Sequence, residues 1–468
     1  MAKKSKDQKE YFRDKLTTVD ATGNRVWVYA KKIKGKYFTR RSWLAAFLLL
    51  IFYSGPFIQV NGEPIMLFDI LQRKFILFGV TFWPQDFHLI LLSVITGIVF
   101  IVLFTVIFGR LFCGWICPQT IFMEFVFRRI EFLIEGDAGA QRRRNNGPMN
   151  WDKLWRKTVK HTIFYVIAII TSLTFLSYII GIERVESLLL LGPLAEPASF
   201  AGLFIFAGAF YFIFAFFREQ VCTIACPYGR LQSVLIDKKS IIVAYDYNRG
   251  EPRGPIRTQD TEIQGDCVAC NSCVVVCPTG IDIRNGTQME CINCTACMDA
   301  CNAIMRKHNK PEGLIRYDSE EGISNGNRSI FNTRSIAYSV VLVTLLIFVA
   351  SLFSFRGSFE ATILRSRGSM YQEYGTDSLS NIYNFSLVNK TNKAIDIEIK
   401  VESLPGRIQY IGGNQSVEVG SVGKGTFLIV LPINALYSSQ TNVTLGLYMD
   451  GTFVETYQTS FVGPTSLD

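Results

Sequence analysis

Residues 267–301 read CVACNSCVVVCPTGIDIRNGTQMECINCTACMDAC, that is Cys267-x2-Cys270-x2-Cys273-x3-Cys277, thirteen residues beginning with Pro278, then Cys291-x2-Cys294-x2-Cys297-x3-Cys301. Two such runs in tandem have the spacing by which bacterial chains hold two [4Fe–4S] clusters. Three closely spaced thiolates wrap three corners of a cubane, and the fourth Cys of each run reaches the other cluster. The expected ligand sets are therefore crossed. Cys267, Cys270, Cys273 and Cys301 serve one cluster, and Cys291, Cys294, Cys297 and Cys277 the other. Pro278 turns the chain away after Cys277, whereas Asn302 stands where the second run would carry its proline. Zinc ribbons also use C-x2-C pairs, but two pairs do not account for eight cysteines in two runs of four. No C-x-x-C is followed by His, so c-type haem attachment is excluded.

Outward from this block the chain reads as a membrane protein. Of its 468 residues, 49% are hydrophobic and 19% charged, and 37 are Phe; soluble domains carry about one-quarter charged residues. All 12 Cys lie between Cys113 and Cys301, unlike the dispersed cysteines of a secreted disulfide scaffold. Five apolar runs approach the roughly 20 residues that span a bilayer: Ser42–Val60, Phe87–Phe108, His161–Ile180, Ser199–Phe217 and Ile336–Phe355. The first 41 residues are basic, not apolar, so no cleavable signal peptide is expected.

Charge bias orients the spans. Thirteen Lys+Arg precede Ser42 and ten lie in 109–160, against two in 61–86 and one in 181–198. The N-terminus, the 109–160 loop and the 218–330 segment are thus expected in the cytoplasm, and the tail across the bacterial inner membrane, in the periplasm. Residues 355–468 hold eight Lys+Arg and ten Asp+Glu, so the net +9 arises from loops facing anionic lipid. Arg142-Arg143-Arg144 has no nucleic-acid motif beside it, and no nucleic-acid partner is expected.

The remaining four cysteines form a second pattern. Arg110-Leu-Phe-Cys113-Gly-Trp-Ile-Cys117-Pro118 follows the second span, and Arg218-Glu-Gln-Val-Cys222-Thr-Ile-Ala-Cys226-Pro227 follows the fourth. Each is a span, then C-x3-C-P, then a short amphipathic helix, as in an internal duplication. Proline suits a first helical turn and keeps its predecessor extended. Cys117 and Cys226 are thus expected at helix N-termini, where the dipole lowers a thiol pKa. Four converging thiols can bind a metal, form redox-active disulfides or relay electrons; alternatively they are small buried apolar residues. Soft thiolates suit Cu(I).

The histidines contribute less. His88 and His161 begin spans at opposite faces and cannot share one haem iron. His88 with Met66, and His308, read as ordinary interfacial or polar contacts. From about Asn381 short alternating runs appear, among them Ile382–Val388, Ile395–Val401, Gly425–Leu431 and Val443–Met449, separated by turn signals. Roughly seven strands are expected, in an immunoglobulin-type β-sandwich without Cys or His, suited to docking or spacing.

Together these residues resemble the CcoG/FixG/RdxA family of cytochrome c oxidase accessory proteins over about residues 20–320. The resemblance is carried by Leu67-Phe-Asp69, Phe78-Gly through Pro84-Gln-Asp86, Cys113-Gly-Trp-Ile-Cys117-Pro-Gln-Thr120, Cys226-Pro-Tyr-Gly-Arg230, and Ala244-Tyr-Asp with Arg249-Gly-Glu-Pro-Arg-Gly254. Proteins of NapH and NosR type share the C-x3-C-P pairs and clusters but lack the last run and this tail. The resemblance implies assembly of a cbb(3)-type oxidase, with Cu(II) reduced to Cu(I) by a cupric reductase. Its implied partners are copper ions, copper-delivery proteins, oxidase subunits and an electron donor the sequence does not identify. Cys113, Cys117, Cys222 and Cys226 carry over as candidate copper-handling or relay thiols, and the other eight as cluster ligands.

The expected architecture is a basic segment 1–41, a four-helix membrane domain 42–240 carrying both C-x3-C-P motifs, and a two-cluster ferredoxin domain 241–330. A fifth transmembrane helix at 331–356 and an immunoglobulin-like domain at 357–468 complete it. A quinol-linked electron relay of NapH type and an oxidase-assembly scaffold with structural clusters remain as alternatives.

Overall fold

The computed structural model describes residues 17–20, 22–60, 62–70, 74–83, 86–255, 264–326, 333–355, 359–366, 368, 370–390, 394–413, 416–418, 421–449 and 451–464. The chain forms two compact units, one of residues 1–59, 64–73 and 88–349 and one of residues 60–63, 74–87 and 350–468.

The larger unit contains the helices α1 (Lys36–Ser54), α2 (Phe87–Phe108), α3 (Trp151–Ile180), α4 (Pro197–Phe212, extended by a π-helical turn to Phe217) and α5 (Thr333–Ser354). Four of them, α2 to α5, are long and apolar enough to cross a membrane. The first expected span differs. Its helix begins at Lys36, carries Arg40 and Arg41 in its first turns, and ends at Ser54 instead of Val60. Gly55-Pro56 then turns the chain through a 3₁₀ turn, Gly55–Phe57, because proline offers no N–H to continue the ladder.

α1 nevertheless packs beside the C-terminal half of α3. Near its start, Arg129 Nη2 donates to Ser42 Oγ at 2.6 Å. Near its end, Tyr53 and Thr171 hydroxyls lie 2.9 Å apart and Tyr178 donates to Phe52 O at 2.9 Å. No side chain of α1 caps its N-terminus. The Asp299 carboxylate does so instead, accepting from Tyr37 N at 3.1 Å and Phe38 N at 2.7 Å. A negative group there satisfies orphan donors and complements the helix dipole. Gly35 permits the approach, since a Cβ on it would fall 2.2 Å from Asp299 Cγ.

The smaller unit is the immunoglobulin-like β-sandwich, with strands β1 (Phe359–Arg365), β2 (Gln372–Glu373), β3 (Ser378–Asn389), β4 (Ile395–Val401), β5 (Arg407–Gly413), β6 (Ser416–Val417), β7 (Val422–Pro432), β8 (Gln440–Met449) and β9 (Thr452–Val462). One sheet runs β5-β7-β3-β1 with β2 also on β3, and the other β6-β4-β8-β9. The two extra strands beyond the expected seven are the two-residue pieces β2 and β6. In β4 the period-2 rule is plain: Ile395, Ile397 and Ile399 are buried while Asp396, Glu398 and Lys400 are exposed. Tyr383 and Phe427 stack at 5.6 Å in the core between the sheets. Asp86, from the expected Pro84-Gln-Asp86 motif, accepts from buried Lys390 at 2.7 Å, and Glu360 of β1 accepts from the same lysine at 2.9 Å. That ion triad ties Asp86, which follows the antiparallel hairpin of Lys74–Leu77 and Val80–Phe82, to the sandwich.

Candidate functional site

The two cysteine runs fold around two neighbouring cavities. One is lined by Cys267, Cys270, Cys273 and Cys301, together with Tyr245 and Arg284. The other is lined by Cys277, Cys291, Cys294 and Cys297, with Cys273 at the shared wall. Winding the backbone so that thiols converge forces left-handed φ angles at equivalent places in the two runs. Ala269 and Asn293 stand at +50° and +52°, and Asn271 and Thr295 at +56° and +62°. Asn tolerates this region, but a β-branched Thr there is an outlier. Strain repeated at matching positions belongs to a site rather than to chance. The chain therefore fits a pair of multi-atom thiolate-bound clusters. Among the described residues no three Cys, His, Asp or Glu side chains converge tightly enough for a single ion.

The two runs end differently. After Cys277 the chain turns at Pro278, whereas the helix Ala296–Lys307 runs straight through Cys301. Asn302 thus sits inside a helix, and its Oδ1 accepts from Gly313 N at 3.0 Å. This explains why no proline follows the second run.

The C-x3-C-P arms lie against the second cavity. Cys113 is in the helical turn Leu111–Trp115 and Cys222 in a π-helical turn, Val221–Ala225, so the duplication is not conformationally perfect. Cys117 and Cys226 have extended backbones at the N-caps of the helices that begin at Pro118 and Pro227, as the prolines require. Gly229 N donates to Cys226 Sγ at 3.4 Å, and the Cys113 thiol donates to Gln232 Oε1 at 2.9 Å. Each thiol lies within electrostatic range of others: Cys113 of Cys117 and Cys226, and Cys222 of all three. All four are free thiols.

The anticipated dipole effect is outweighed. Burial raises the Cys117 thiol pKa although Gln119 and Thr120 N–H groups pull it down, and burial pushes Cys113 and Cys222 up to about 12.

What joins the arms to the cluster loop is Gly114. A Cβ there would stand 2.4 Å from Ile292 O and 2.9 Å from Cys294 Cα, so backbone meets backbone. Arg41 staples the contact, donating from Nε to Gly114 O at 3.0 Å and from Nη1 to Cys294 O at 2.8 Å. The Trp115 indole donates to Tyr317 OH at 3.0 Å, and Tyr317 donates to Asn293 O at 3.2 Å. Arg110 joins Met289 O before the second run to Gly229 O after Cys226. A Gly114→Ala substitution is expected to force this seam apart at about 1–3 kcal/mol, as overpacking does. The check is a lowered thermal midpoint with a perturbed EPR spectrum of the reduced cluster nearest Cys294; an unchanged spectrum would contradict it.

A buried ion cluster holds the two arms together. Arg218, just before the second arm, donates to both oxygens of Glu131 at 2.7 and 3.0 Å. Glu131 belongs to the helix Arg128–Ile134 that continues the first arm. Lys160 of α3 adds Glu135 at 3.1 Å. Arg41, Glu131, Gln232 and Tyr317 lie far in sequence from the partners they hold, so no local pattern marks them, or gives Arg110 and Arg218 a role. The one local signal was that Trp115 and Gly114 sit between two cysteines. His161 Nδ1 is 2.8 Å from Tyr211 OH, and its ring stacks on Phe216.

Comparison with known proteins agrees with this geometry. Residues 217–320 match a "4Fe-4S dicluster domain", residues 90–136 a "4Fe-4S binding domain", and residues 348–464 the "IG-like fold at C-terminal of FixG". Protein RdxA of Cereibacter sphaeroides is 30% identical over 88% of this chain and 90% of its own. Nitrogen fixation protein FixG of Rhizobium meliloti is 30% identical over 82% of this chain and 81% of its own. Protein RdxB of Cereibacter sphaeroides is 32% identical over 80% and 82%. With ferredoxin-type cluster motifs, long apolar helices and the C-terminal sandwich all present, the chain belongs to the FixG/RdxA/RdxB family of iron–sulfur electron-transfer membrane proteins.

Proposed function

We propose that the protein is a membrane cupric reductase that converts Cu(II) to Cu(I) for assembly of a cbb(3)-type cytochrome c oxidase. The observation that carries this reading is the Gly114 seam, which packs Cys113 and Cys222 against the loop bearing Cys291 and Cys294, with Cys117 and Cys226 in electrostatic range of both. Cys267, Cys270, Cys273 and Cys301 would hold one [4Fe–4S] cluster, and Cys277, Cys291, Cys294 and Cys297 the second. Bound there, the clusters supply one-electron transfer, one electron for each copper ion reduced. The chain's own part is to hold them side by side, with Cys273 lining both cavities, and to present soft thiolates that favour Cu(I) over Cu(II). The class of reaction fits a C-terminal family whose description names an oxidoreductase. Cluster-depleted protein is expected to form no Cu(I) beyond the protein-free rate, and cluster-reconstituted protein to regain it; equal rates in the two would defeat the proposal.

The charge bias supports a cytoplasmic N-terminus and cluster domain in the bacterial inner membrane, with the sandwich in the periplasm, where it would meet oxidase subunits and copper-delivery proteins. Alkaline phosphatase fused after residue 468 is then expected to be active in whole cells, and an inactive fusion would reverse the orientation.

A further inference from the structure

We propose that a second ligand site lies beside the cluster loop: a cavity of about 280 Å³ that binds a phosphate ester carried on an apolar body. Its cationic wall is Lys31, Lys32, Arg41, Arg128 and Arg129, opposed by the single acid Glu124, a balance of five positive charges to one negative. Its other wall is apolar, with Phe38, Phe132, Leu133 and Pro278, and Cys294 lines it as well.

The two inner arginines are the telling groups. Arg41 and Arg128 are 4% and 3% exposed, and each has an Nη2 that is buried with no hydrogen-bond partner among the described residues. Both other nitrogens of Arg41 are committed, to Gly114 O and Cys294 O, and Nη1 of Arg128 is committed to Glu124. The guanidinium planes are therefore fixed before any ligand arrives. A buried charged donor left unpaired is costly, and an anion's oxygens would relieve both.

The donor count selects the anion. Two guanidinium nitrogens with Arg129 and two lysines exceed what the two oxygens of a carboxylate accept, whereas a phosphate monoester presents three strong acceptors to planar Arg forks. The phenyl and aliphatic wall would gain nothing from inorganic phosphate, so the ester must bring an apolar group. Such chemistry has two sources, a soluble flavin mononucleotide or a phosphatidic acid headgroup from the bilayer. The site does not depend on the copper reading.

The test uses full-length, cluster-loaded protein in nanodiscs of neutral lipid. Flavin mononucleotide is titrated by fluorescence quenching against riboflavin, and dihexanoyl phosphatidic acid by native mass spectrometry against dihexanoylglycerol. Saturable binding of either phosphate ester, at least tenfold tighter than its phosphate-free counterpart, is expected, and the ester that binds names the source. Exposed Lys31 and Lys32 allow a variant, Lys31→Ala with Lys32→Ala, that should keep cluster absorbance yet weaken the ester about tenfold, close to 1.4 kcal/mol. Arg128→Gln should weaken it further. If neither ester outbinds its counterpart, or the lysine variant binds as well as the unaltered protein, the site is refuted.

Discussion

Replacing Cys113, Cys117, Cys222 and Cys226 together with serine is expected to lower Cu(I) formation to the rate of a protein-free control while leaving the visible absorbance of the clusters intact. Serine is close to cysteine in size, so the packing around Val276, Ile292 and Ala296 is largely kept. What disappears is sulfur. A serine oxygen is a hard ligand that does not stabilise Cu(I) as a thiolate does, and it cannot relay an electron through disulfide chemistry. The eight cluster ligands are untouched, and they line cavities of their own. If the four thiols were only small buried residues, the same variant would lose some stability and still reduce copper. Copper reduction and cluster absorbance, measured on one preparation, separate these outcomes; full reduction by the variant would remove the thiols from the mechanism.

The second large effect is structural. Glu131→Gln is expected to destabilise the membrane unit by about 1–3 kcal/mol, the cost of losing buried charge-assisted hydrogen bonds, because Arg218 still keeps the Glu219 carboxylate at 3.6 Å. Arg218 is 3% exposed, and its two hydrogen bonds to Glu131 hold the second arm to the helix that continues the first. Burial alone would raise the carboxyl pKa of Glu131, but Arg218 and Lys160 outweigh it and hold the pKa below the ordinary value of 4.5. The sign follows from linkage: a depressed carboxylate contributes stability that is present above its unfolded pKa and lost as pH falls through the folded one. The deficit of Glu131→Gln should therefore be full at pH 7 and shrink below about pH 4.5. Thermal midpoints in detergent at the two pH values check it, and a deficit independent of pH would show that packing, not charge, holds the arms. Because Arg218 stands four residues before Cys222, the variant should also slow copper reduction in protein that remains folded.

What could be read before the structure was whatever is written in short spacing. Cys267 to Cys301 declare two cluster-binding runs because a cubane fixes the distances between its ligands. The apolar run Phe87–Phe108 coincides with its helix to the residue, and Ile395–Val401 with its strand, since burial on one face imposes a period. What could not be read depends on segments far apart in the chain. Glu131 and Arg218 are 87 residues apart, and Arg41 and Cys294 are 253 apart; neither has a local mark of pairing. The end of α1 at Ser54 was a local matter, where apolar content hid the Gly55-Pro56 stop. The lowered pKa expected at Cys117 failed for a tertiary reason, because desolvation exceeds the pull of two backbone N–H groups.

The measurement that bears most directly on the account is stopped-flow absorbance of anaerobic, dithionite-reduced full-length protein, freed of excess reductant and mixed with Cu(II) in the presence of a Cu(I)-specific chelator. The account predicts reoxidation of the clusters matched by Cu(I) in equal electron count. Clusters that stay reduced, with no Cu(I) formed, would contradict it.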